Sequence, residues 1–314
     1  MYLVCGEALF DFFSENDASG LASKVNFKAI AGGSPFNVAV GLRRLGVDVA
    51  LLAGLSTDHL GRRLLQVLQD EGVGTDYLLD FAAPTTLAMV AVGANGSPHY
   101  SFRGEGCADR QLKPEHLPQL GPEVHGLHIG SFSLVVQPIA DTLLALVRRE
   151  SGKRLISLDP NVRLNPEPNI ELWRSRITTL VEHADLIKVS DEDLSLLYPE
   201  QDPGRVVDGW LQHRCQLVFL TRGGAGATVF SRVYGSWSVP ACEVKIADTV
   251  GAGDTFQAAV IAWLTEHQLD SVEGLQRLNR EQIDAMVRFA VQAAALTCGK
   301  TGPDLPYRHQ LDLR

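Results

Sequence analysis

An α/β architecture on a mainly parallel sheet follows from how short apolar runs and amphipathic stretches take turns along these 314 residues. Tyr2–Cys5 and Val49–Ala53 are apolar runs closed by Gly6 and Gly54, as buried strands are. A helical pattern opens at Ser34, where the serine is placed to N-cap with Pro35 at the first position. It continues through Val38, Leu42 and Leu45 and ends at Gly46. A second opens at Asp58, carries Leu60, Leu64, Leu65 and Leu68, and ends near Gly72. Strands alternating with helices in this way build a parallel sheet with crossover helices. The length suits one large α/β domain with an accessory piece, or two domains.

Composition narrows the function classes. Hydrophobic content of 45% and charged content of 21% are ordinary for a globular chain. A net charge of −9 with no basic stripe argues against a nucleic-acid partner. No apolar run reaches membrane-spanning length, so no membrane role is expected. Cys5, Cys107, Cys215, Cys242 and Cys298 are scattered, odd in number and without a C-x-x-C, which reads as reduced thiols in a cytoplasmic setting.

The alternation breaks between Thr85 and Arg103. Thr86–Val92 and His99–Arg103 read as two strands joined by the turn cluster 93–98, a hairpin suited to act as a lid. It then resumes. Strands are expected at Gly126–Gly130, Leu155–Asp159, Leu186–Ser190, Leu217–Thr221 and Ala227–Phe230, with helices at Ile139–Arg149 and Arg288–Thr297. Asp11 follows so apolar a stretch that it reads as a strand-end turn residue or a ligand contact, with the turn favoured. Asp159-Pro160-Asn161-Val162-Arg163 lies at a strand's carboxyl end, where open α/β sheets place ligands. Asp191, Glu192 and Asp193 open a helix; dipole complementarity explains them, with a Mg2+ link through water as the sharper reading.

The chemistry concentrates in Asp248-Thr249-Val250-Gly251-Ala252-Gly253-Asp254-Thr255-Phe256. Phe256, Ala259, Val260, Trp263 and Leu264 mark one apolar helix face, so the glycine loop feeds a helix N-terminus. Glycine backbone N–H groups and the helix dipole together make an anion hole. Asp254 would repel a phosphate there unless it takes a proton from the attacking hydroxyl, which is what phosphoryl transfer to an alcohol needs. The competing reading is a plain turn with Asp254 as a helix cap. Neither a dinucleotide fingerprint (Phe256 stands where a third glycine belongs) nor a P-loop (Ala294 stands before Gly299-Lys300-Thr301) is present.

This loop, Gly32-Gly33-Ser34-Pro35-Phe36-Asn37, Asp159-x-Asn161-x-Arg163 and Thr221-x-Gly223-x-x-Gly226 together resemble the PfkB, or ribokinase-like, carbohydrate kinases over nearly the whole chain. The stretches from Gly6 to Asp11 and Gly33 to Leu42 look most like those of fructokinases. The resemblance implies one three-layer α/β/α domain over residues 1–314, with lid segments at about 11–30 and 84–106. It implies an ATP-dependent kinase acting on the primary hydroxyl of fructose, with 2-keto-3-deoxygluconate kinase as the nearest rival. A nucleoside kinase is a weaker rival, and a non-catalytic sugar-binding regulator on the same fold stands outside the enzymes. The sugar would lie among Asp11, Gly32, Gly33, Asn37, Arg103, Arg163 and Asp254. Asp254 would be the base, with Gly251, Ala252 and Gly253 forming the anion hole beside the nucleotide phosphates. Lys188, Thr221, Gly223 and Gly226 would line the nucleotide, Asp193 would reach Mg2+ through water, and Asp248 would sit at a potassium site. Relatives often dimerise through the lid, and Met89-Val90-Ala91-Val92 is an apolar stripe suited to that. Three positions depart from the family pattern: Ser190-x-x-Asp193 for N-x-x-E, Val291 for a common Asn, and Gly302-Pro303 for Gly-Ala.

Overall fold

The structure is a computed structural model that describes residues 1–14, 23–92 and 98–311. In chain order its first elements are β1 (Tyr2–Cys5), β2 (Leu9–Ser14), β3 (Phe27–Gly32), α1 (Ser34–Arg44), β4 (Val49–Ser56), α2 (His59–Asp70), β5 (Leu78–Phe81), β6 (Leu87–Val92) and β7 (Pro98–Arg103). There follow β8 (Gly126–Gly130), α3 (Ile139–Glu150), β9 (Leu155–Asp159), α4 (Ile170–Val181), β10 (Leu186–Ser190), α5 (Asp191–Leu197), α6 (Pro203–Trp210) and β11 (Leu217–Thr221). The last are β12 (Ala227–Ser231), β13 (Gly235–Val239), α7 (Ala252–Glu266), α8 (Val272–Arg277) and α9 (Arg280–Cys298).

The larger sheet has the order β13-β12-β11-β10-β9-β8-β1-β4-β5, parallel from β5 to β11, with β12 and β13 antiparallel at one edge. Side chains alternate across each strand, so each face needs its own cover. Tyr2, Val4, Leu51 and Ala53 face a core shared with α1, α2, α7 and α9. Leu3, Cys5, Ala50 and Leu52 face a second core shared with α3, α4 and α6. That makes three layers. The chain builds outward from β1 to β4 and β5, then returns to β8 on its other side. Such a reversal leaves a crevice at the carboxyl ends of the strands.

A smaller sheet, ordered β3-β2-β6-β7, brings Asp11 of β2 into electrostatic reach of Asp254 and Arg163. The expected hairpin is β6 and β7; its turn, 93–97, lies outside the described residues. Two further strands come from the early chain, and they correct the reading of Asp11. It is not a turn residue but a mid-strand one, paired with Ile30 on β3 and Ala88 on β6. Its local sequence is turn-like only until both neighbours are counted. The edge strand β5, four residues long and only half-buried, is too short to stand out in the sequence.

Candidate active site

Gly251 begins α7 in the left-handed conformation at φ 80°, and a Cβ there would stand 2.8 Å from Pro303. Only glycine suits both demands. No side chain caps this helix, so Asp254 is not its cap. The Ala252 N–H donates to the Thr249 carbonyl at 3.2 Å. The N–H groups of Gly251, Gly253 and Asp254 donate to no described residue. A helix start with open donors of this kind attracts an anion.

Asp254 is 9% exposed and held from α1. Ser34 Oγ donates to Oδ1 at 2.6 Å, and Asn37 Nδ2 donates to Oδ2 at 2.8 Å. Ser34 and Asn37 are three apart, hence on one helix face. The expectation that Ser34 caps α1 is therefore wrong. Gly33 is the N-cap, Ser34 is already helical, and its hydroxyl is spent on the carboxylate 220 residues away. Gly33 has φ 103°, and a Cβ on it would meet the Glu7 carbonyl at 2.9 Å. At Gly32 a Cβ would collide with the Asp11 carboxylate. The two glycines thus make room for the acids rather than flexibility for the loop.

Burial and the charge of Asp254 push Asp11 up to about 6, with Arg163 pulling the other way. Asp11, Arg163 and Asp254 therefore share one site. Arg163 is exposed and donates to the Val162 carbonyl at 2.9 Å. Arg103 is exposed too, and donates only to the neighbouring Phe102 carbonyl, at 3.5 Å.

Beneath the loop, Lys188 is 3% exposed and paired with the fully buried Asp159, Nζ to Oδ2 at 2.9 Å. Burial works against the ammonium, but Asp159, Asp193 and Asp254 outweigh it and hold Lys188 above the usual lysine range. A Cβ on Gly253 would lie 2.8 Å from Lys188 Nζ, so this buried cation sits against the open N–H groups. Gly253→Val should accordingly cut turnover by roughly 10² or more, through the anion hole it crowds. A normal rate in a steady-state assay would show that the loop only makes a turn.

Asp193 accepts from the N–H of Val162 at 2.7 Å and of Ser190 at 3.3 Å, closing a capping box that begins α5. Both its oxygens are thus engaged with backbone, whereas Asp159 Oδ1 is buried without a partner among the described residues. Among the described residues no cluster of three acids, histidines or cysteines could by itself hold a metal. Asp248 clamps two loops, accepting from Val250 N at 3.1 Å and Gly302 N at 2.9 Å. Thr221 ends β11 with its hydroxyl 3.4 Å from the Val189 carbonyl. Gly223 borders open space, whereas a Cβ at Gly226 would run into the 239–241 backbone, so that glycine is needed for packing. Val291 is 7% exposed, inside the core.

Glu7 was not singled out from the sequence. It is fully buried behind Gly33, with Ser133 Oγ donating to Oε2 and Oε1 unpartnered. A lone acid closing an apolar strand was the available signal. Burial outweighs the Ser133 hydroxyl and pushes Glu7 from 4.5 up to about 7. Within that window the folded state binds the extra proton, so Glu7 withdraws stability as pH rises. Thermal unfolding should find Glu7→Gln stabilised relative to the parent at about pH 8, with the advantage gone by about pH 4. A difference independent of pH would refute the shift.

The pfkB family carbohydrate kinase profile matches residues 1–310. A fructokinase from Rhizobium leguminosarum bv. trifolii is 36% identical over 279 residues, covering 87% of this chain and 84% of that protein. The crystal structure of a Xylella fastidiosa fructokinase with bound ATP superposes with a TM-score of 0.90 at 28% identity, covering 99% of this chain and 96% of that one. A Vibrio cholerae O395 fructokinase with fructose, ADP and calcium bound gives 0.83 at 25% identity, covering 99% and 97%. With the profile spanning nearly its whole length and an acid beside open N–H groups at its crevice, the chain belongs to the pfkB family of carbohydrate kinases.

Proposed function

We propose that the protein is an ATP-dependent fructokinase that phosphorylates the primary hydroxyl of D-fructose to give fructose 6-phosphate. The observation that carries this reading is the 36% identity to a named fructokinase across 84% of its length. Asp254, oriented by Ser34 and Asn37, takes the proton of the attacking hydroxyl. Asp11, Gly32, Gly33, Asn37, Arg163 and Arg103 hold the sugar, Arg103 only after its exposed side chain turns inward. The N–H groups of Gly251 and Gly253, with Lys188 beneath them, steady the charge on the transferring phosphoryl group. Thr221, Gly223 and Gly226 line the nucleotide. Mg2+ carried in with ATP would supply charge neutralisation at the phosphates, and Asp193 and Asp159, the two acids beside Lys188, would hold its hydration shell. Asp248 orders the loop at which potassium would bind.

A cytoplasmic setting accords with five free cysteines. Among the described residues no helix is long and apolar enough to cross a membrane. A homodimer through the small sheet is supported by its edge strand β3, where Phe27 is 37% exposed, and by Val25 beside it at 58%. Light scattering that returned only a monomer would discard the dimer.

An ADP-release assay with Mg-ATP and fructose, ribose, 2-keto-3-deoxygluconate or adenosine tests the reaction. Fructose should be preferred. Preference for the sugar acid would reassign Arg103 and Arg163 to its carboxylate. No turnover by folded protein would return the binding-only reading.

A further inference from the structure

Below the Lys188–Asp159 pair, three fully buried polar side chains from three elements meet: His128 on β8, Ser157 on β9 and Gln257 on α7. Gln257 Nε2 donates to Ser157 Oγ at 2.7 Å, and His128 Nδ1 lies 3.1 Å from the same oxygen. His128 and Ser157 are register partners on adjacent strands. With the amide donating to it, the serine hydroxyl sends its own proton to Nδ1, which leaves the imidazole proton on Nε2. Burial and Lys188 hold this imidazole down at about 3, so it is neutral.

The arrangement is costly. Among the described residues His128 Nε2 and Gln257 Oε1 have no partner, and a buried polar group left unsatisfied is destabilising. The surrounding core, with Leu155, Leu186, Ala258 and Ile261, is apolar, and a leucine at 257 would avoid the penalty. What the polar group gains is direction. Gln257 lies one turn after Asp254 on the same face of α7. Ser157 lies two residues before Asp159, on the same side of β9. One hydrogen bond therefore joins the helix that carries Gly253 and Asp254 to the strand that carries the partner of Lys188.

We propose that Gln257 and Ser157 are positioning residues for phosphoryl transfer: their hydrogen bond sets the height and rotation of α7, and so the placement of Gly253 and Asp254 against Lys188. Neither residue touches substrate. The hydrophobic effect is non-directional, whereas a hydrogen bond weakens steeply away from its preferred distance and angle. Small displacements of reacting groups cost rate rather than affinity. The inference rests on Asp254 acting as the base.

The test compares Ser157→Thr with Ser157→Val, two side chains of one shape that differ by the hydroxyl. Gln257→Leu and Asp254→Asn are run in parallel. Expected are kcat within about twofold of the parent for Ser157→Thr, and losses of roughly tenfold for Ser157→Val and Gln257→Leu with sugar KM little changed. Gln257→Leu should melt at or above the parent temperature. Equal kcat for the Thr and Val variants, or a Gln257→Leu enzyme as fast as the parent, overturns the proposal. If Asp254→Asn itself keeps full turnover, the base assignment has failed, a result distinct from failure of the pin. Should Ser157→Val not fold, the Gln257→Leu comparison decides alone.

Discussion

Asp254→Asn should lower kcat by roughly 10² or more while the protein stays folded and still binds sugar. The substitution is close to isosteric. The amide oxygen still accepts from Ser34, and Asn37 can reverse its own amide to meet the new NH2 group. What disappears is the basic oxygen that receives the hydroxyl proton. The site around it supports this assignment over a structural one. The helix takes its cap from Gly251, and both oxygens are aimed by residues of another helix. Sugar-dependent thermal shifts alongside turnover separate the two roles: retained shifts with lost turnover support the base, and unchanged turnover removes it.

Lys188→Met should destabilise the protein by roughly 3–5 kcal/mol, because it leaves the carboxylate of Asp159, 0% exposed, without its cation. The ion pair need not be a net source of stability, since desolvating both charges offsets most of their attraction. The double variant Lys188→Met with Asp159→Leu should therefore recover much of the loss in urea unfolding, yet remain inactive. Recovery of stability and activity together would make the pair structural only. A single variant as stable as the parent would mean that Asp159 takes up a proton at no cost.

The layered fold was legible because its strands and helices are locally consistent. Leu217–Thr221 is wholly apolar until its last residue, and Leu155–Asp159 is apolar but for Ser157 and its terminal acid, as suits strands covered on both faces. By local pattern the small sheet was legible only as β6 and β7, where a turn cluster joins two runs; β2 and β3 pair across a longer connection and leave no local mark, so the segment at about 11–30 was expected from the family resemblance alone. The glycine loop and Asp254 were legible because a carboxylate directly after a glycine-rich helix start is chemically odd in any context.

Contacts distant in sequence were not legible. Ser34 reads as a cap from its neighbours, since cap preference is local, and becomes a partner of Asp254 only when α1 and α7 pack. Lys188 was grouped with the nucleotide, but its burial against Asp159 and Gly253 depends on three chain segments arriving together. The same holds for Glu7 behind Gly33 and for Gln257 on Ser157. Local backbone preference and side-chain periodicity are written along the chain, so element type, order and the glycine loop before α7 follow from it. Desolvation and the pairing of buried charges exist only after collapse, so the tertiary structure alone decides which polar side chains serve the site and how they are held.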